Sequence, residues 1–84
     1  MKKLYHIEVC RCFNNRQTDR WFVTEYFIPS LYEARQCLAD YAGGLEYPSK
    51  HDECMNARPY EIVLADGQTF DMCDTMAFRI VEAI

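Results

Sequence analysis

With 84 residues, half of them hydrophobic and 14% aromatic, the chain has the size of one small domain with a thin core and is too apolar for a disordered tail. Its net charge of −4 is unevenly spread: residues 1–44 hold six basic and five acidic side chains, residues 45–84 three basic and eight acidic. That balance argues against direct nucleic-acid binding, which needs Lys and Arg to displace counterions, and it suits a basic protein surface as partner.

Lys2 and Lys3 open the chain, but His6 and Glu8 interrupt the apolar run behind them. The expectation is no signal peptide, no membrane span and a cytoplasmic location. Five cysteines, an odd count without framework spacing, fit reduced thiols.

Lys3 to Phe13 alternates as a half-buried strand, with Tyr5, Ile7 and Val9 on one face and His6, Glu8, Cys10 and Cys12 on the other. Residues 14–19 are polar and turn-prone. Arg20 to Ile28 is dense in strand formers and pairs back as a hairpin. One row holds Phe22, Thr24, Tyr26 and Ile28. The other holds Trp21, Val23 and Phe27, broken by Glu25. A strand apolar on both rows needs cover on both, or leaves a patch that binds something, a second copy of the chain included.

Ser30 and Glu33 form a capping box, Pro29 keeps Ile28 extended, and Leu31, Ala34, Leu38, Tyr41 and Ala42 recur at a helical period until Gly43 and Gly44 stop it. A helix of about twelve residues is marginal alone and must lie on the strands. Residues 46–58 lack a period and read as a long loop. Tyr60 to Leu64 and Thr69 to Met72 flank an Asp66-Gly67 turn. Residues 73–77 are ambiguous. Phe78 to Ile84 reads as a last strand, with a terminal helix as the alternative. The fold class is α+β: one domain over 1–84, a small antiparallel sheet with one helix packed on one face, in the order β-β-α-β-β(-β).

The chemistry-bearing residues each carry two readings. Cys10, Cys12, His51 and Cys54 could make a Cys₃His zinc site if residues 46–58 fold over the first strand, or they are small core hydrophobes. Cys54 with His51, or Cys10 with His6, has the elements of a thiolate–imidazolium pair, but no orienting residue or oxyanion motif accompanies it, so no catalytic residue is assigned. Glu61, Asp71, Asp74 and Glu82 make either a solvated face or a partner surface. Trp21, Phe27 and the outward Tyr32 suit protein contact better than base stacking, because no basic groove accompanies them.

With these features in place, the chain resembles the small acidic accessory proteins of phages and other mobile elements, of the anti-CRISPR and anti-restriction type. The likeness spans the whole chain and rests on size, net acidity, the share of Tyr, Phe and Asp, and a single helix on a small sheet. It implies a non-enzymatic inhibitor that binds a nucleic-acid-processing complex, its carboxylates occupying a cationic groove meant for phosphates. The other expectation is a small zinc-stabilised structural or regulatory domain.

Overall fold

The computed structural model describes residues 3–13, 16–42, 53–57, 61–71 and 75–83. The strands are β1 (Tyr5–Phe13), β2 (Arg16–Gln17), β3 (Phe22–Ile28), β4 (Glu53–Ala57), β5 (Glu61–Val63), β6 (Thr69–Asp71) and β7 (Thr75–Glu82), with one helix, α1 (Leu31–Ala42), after β3. All strand pairs are antiparallel, and the helix packs on one face of the main sheet. This is the expected α+β plan.

The sheet is built around β1. One edge of β1 pairs with β7 over its length, from Tyr5 opposite Glu82 to Cys12 opposite Thr75. The other edge takes β3 at its start and the two-residue β2 at its end. β4 pairs with the far side of β7. Strand partners share a face, so Ile7 with Ile80 and Val9 with Phe78 point toward the helix. Ile7, Val9, Ile28, Ala34, Leu38, Met76 and Phe78 form the core there, and Tyr41 stacks on Phe78 at 6.2 Å between ring centroids.

The helix starts where Ser30 and Glu33 predict. Glu33 N–H donates to Ser30 Oγ at 3.1 Å. The carboxylate of Glu33 accepts from the Ser30 hydroxyl at 2.8 Å rather than from its amide. The cap is thus closed side chain to side chain on the return leg.

Two expectations need correction, and one open reading is resolved in favour of a strand. Residues 53–57 are a strand, not loop, although Glu53, Asn56 and Ala57 are poor strand formers. The free edge of β7 supplies the ladder that local propensity does not. The polar 14–19 stretch contains β2, held by Cys12 opposite Gln17 and Phe13 opposite Arg16. Residues 75–82 are all strand, which places the ambiguous segment's end and the last strand in one element. Within the expected loop, residues 46–52 and 58 lie outside the described residues.

β5 and β6 form their own two-stranded sheet, with Glu61 opposite Asp71. Gly67 N–H donates to Leu64 C=O at 2.9 Å and Leu64 N–H to Gln68 C=O at 2.7 Å. These bonds make a three-residue loop rather than a two-residue one, with Gly67 at φ 89° in the conformation its lack of a Cβ allows. Ile62 and Leu64 enter the core, and Ala65 N–H donates to Val23 C=O at 2.8 Å, which ties this hairpin to the edge of β3.

Candidate functional site: the bulged edge strand and the outer sheet face

The two rows predicted for β3 do not run its length. Between Tyr5 and Ile7 of β1, β3 passes from Ile28 to Glu25, three residues against two. Between Ile7 and Glu8 it passes from Glu25 to Val23, two against one. Each step inserts one extra residue, a β-bulge. At the second bulge Thr24 is buried, and its hydroxyl donates to Ile7 C=O at 3.2 Å where the ladder is interrupted.

At the first bulge Phe27 has φ 60°, the left-handed region that bulges normally fill with glycine. For a residue with a Cβ this costs about 1–2 kcal/mol. Its ring is 74% exposed, and beside it Tyr26 is 52% exposed, with ring centroids 5.7 Å apart. The two aromatics form a knob at the end of the edge strand.

The knob continues into a charged network on the sheet face away from the helix. Tyr26 meets the edge of His6 at 6.1 Å. His6 Nε2 lies 2.9 Å from Glu8 Oε2, and the other Glu8 oxygen accepts from Arg79 Nε across β1 and β7. Arg79 in turn lies over the Trp21 ring, 4.1 Å from its centroid. Glu8 is only 14% exposed, so its carboxylate oxygens are satisfied by these partners more than by water. A continuous row of contacts therefore runs Phe27, Tyr26, His6, Glu8, Arg79, Trp21. Trp21 and Phe27 were expected in one row of one strand. The bulges break that row, and the network joins them through β1 and β7 instead. Tyr26, Glu8 and Arg79 were not singled out by sequence, and His6 was weighed only as a partner for Cys10. The available signal was that His6 and Glu8 share a row and that Arg79 is the one basic residue of the last strand.

Of the other predicted partner residues, Tyr32 is exposed on the first turn of α1. Glu82 is exposed and pairs with Lys3 at 3.4 Å. It stands opposite Tyr5, which on its other side faces Ile28, so Glu82 lies at the same end of the sheet as Phe27. Glu61 and Asp71 face each other in register on the β5–β6 hairpin, remote in the sheet topology from β7. Asp74 lies outside the described residues.

Of the four candidate zinc ligands, His51 lies outside the described residues. Cys54 stands opposite Phe78, while Cys10 and Cys12 stand opposite Ala77 and Thr75. Cys10 is buried, and its Sγ donates to Asp19 C=O at 3.0 Å. Burial pushes its pKa up, against the lowering by that hydrogen bond, so it is held as a thiol. Among the described residues no three His, Cys, Asp or Glu side chains gather as a metal site.

Tyr41 donates to Glu25 Oε2 at 2.8 Å on the helix side, and burial, then that carboxylate, push its pKa up to about 12. Cys37 beside them is raised by burial and then by Glu25, Asp40 and Glu33. No described helix is long and apolar enough to cross a membrane.

Compared with known proteins, the chain matches no family model, no curated protein and no solved structure. The functional reading therefore rests on this surface alone.

Proposed function

We propose that the chain is a non-enzymatic protein-binding module whose contact surface is the Tyr26–Phe27 knob and the outer sheet face behind it. The observation that carries this is Phe27: a large apolar ring left in water on a backbone conformation that a glycine would hold without strain. Stability alone favours neither feature. Burying a Phe ring at an interface contributes about 1.5–3 kcal/mol, enough to offset the local strain. Aromatic side chains on rigid supports are the usual energetic centres of interfaces. Glu82 at the same end of the sheet and the acidic second half of the chain suit a partner with basic groups around an apolar pocket. The resemblance to mobile-element inhibitors makes nucleic-acid-processing complexes the first partners to screen.

The test is affinity capture with wild type and Phe27→Gly side by side, with thermal melts of both. The expected outcome is that the variant melts higher and captures less. Undiminished capture by a folded Phe27→Gly would sink the proposal.

A further inference from the structure

A cleft of about 210 Å³ opens between the outer edge of β3 and the turn of the β5–β6 hairpin. Trp21, Val23 and Tyr26 line one side, Leu64 and Asp66 the other, with Arg20 also in its wall. The bond from Ala65 N–H to Val23 C=O fixes the two sides against each other. The cleft is smaller than the roughly 300 Å³ at which pockets for whole small molecules begin, and it has room for one large side chain.

Its polar groups are mostly donors. The Trp21 indole N–H and the Tyr26 hydroxyl have no acceptor among the described residues. The Arg20 guanidinium lies over the Phe22 ring, 4.4 Å from its centroid, with no carboxylate partner among the described residues. The Asp66 carboxylate already accepts Gln68 N–H at 2.9 Å. Aromatic walls call for an apolar group, and surplus donors call for an acceptor, best a carboxylate at Arg20. The two bulges in β3 work against an added partner strand along this edge, which leaves side-chain insertion as the mode of contact.

We infer that the cleft receives one large apolar side chain of the partner protein, with a carboxylate of that partner set against Arg20. This rests on the protein-binding proposal above and adds a second contact, joined to the Phe27 knob through Tyr26.

The test uses the full chain labelled with ¹⁵N. It is titrated with N-acetylphenylalanine, which carries the carboxylate, and with N-acetylphenylalaninamide, which does not. The single tryptophan, in the cleft wall, gives one unambiguous indole N–H signal. The expected result is a saturable shift of that signal and of the Val23 and Ala65 amides, with the acid binding about fivefold more tightly than the amide. Arg20→Gln should bring the acid down to the level of the amide while leaving the protein folded, its spectrum changed only around residue 20 and the Phe22 ring that Arg20 covers. No saturable shift, or equal binding of acid and amide, overturns the inference. Micromolar binding of the free acid would mark a small-molecule site and overturn it as well. An inert cleft together with Phe27-dependent capture removes only this inference. A cleft that binds the acid while Phe27→Gly captures normally removes only the knob.

Discussion

At Phe27 the backbone and the side chain make opposite demands, and two substitutions separate them. Phe27→Gly relieves the left-handed strain and should stabilise the fold by about 1 kcal/mol, raising the melting temperature by roughly 4–8 °C. Phe27→Ala removes the ring but keeps a Cβ in the same conformation, so it should gain little. Equal melting temperatures for Gly and Ala would mean that the strain is relieved elsewhere. Glu8 is the second residue where position decides magnitude. It is 14% exposed and shared between His6 and Arg79, whereas Glu82 is 50% exposed in its pair with Lys3. Glu8→Gln should therefore cost about 2 kcal/mol, by leaving Arg79 half-buried and underpaired. Glu82→Gln should cost less than about 0.5 kcal/mol. Urea unfolding midpoints of the two variants measure the contrast, and similar losses would mean that the outer-face network is solvated.

At the scale of the elements, α1 depends on its cap and on its edge contact with β3. Ser30→Ala should cost about 1 kcal/mol by freeing the Glu33 amide and the return bond together. The Tyr41–Glu25 bond adds a pH dependence. The phenol's pKa is near 10 in the unfolded chain and about 12 when folded, so the folded state binds its proton more tightly. Its contribution is complete below pH 10 and is lost as pH rises through 12. Urea midpoints between pH 9 and 12 should fall less steeply for Tyr41→Phe than for wild type, and parallel curves would contradict the assignment. The helix was legible because its signals are local: cap, period and stop lie within sixteen residues of one another. The 61–71 hairpin was legible from its Asp-Gly turn for the same reason. β4 was not, because its partner supplies the ladder that Glu53, Asn56 and Ala57 do not favour. The bulges were hidden because the residue that usually marks one, a glycine, is replaced by Phe27 itself. Trp21 and Phe27 were recognisable as candidate contacts, but the residues that join them were not. Glu8 and Arg79 are 71 positions apart, and only the β1–β7 register brings them together.

For the whole molecule, that same register sets the order of stability. β1 lies between β7 and the β3/β2 edge, and β7 lies between β1 and β4, so these two strands are the interior of the sheet. They come from opposite ends of the described chain, and a fold that must close so long a loop before its central ladder forms should fold in milliseconds to seconds rather than microseconds. The β5–β6 hairpin is a separate two-stranded sheet, tied to the rest by Ile62, Leu64 and the Ala65–Val23 bond. A two-stranded unit with so few anchors among the described residues should open well before the sheet does. Native-state hydrogen exchange should therefore show amides of β1 and β7 exchanging only through global unfolding, and amides of 61–71 at a free energy lower by about 2 kcal/mol or more. The same hairpin is one wall of the cleft. N-acetylphenylalanine at saturation should slow exchange at 64–66, and by the same factor at β1 and β7, since the probe binds neither the opened hairpin nor the unfolded chain. Uniform protection across both sheets without the probe would instead make the hairpin part of a single cooperative unit, and the cleft a fixed indentation rather than a site whose occupancy holds it shut.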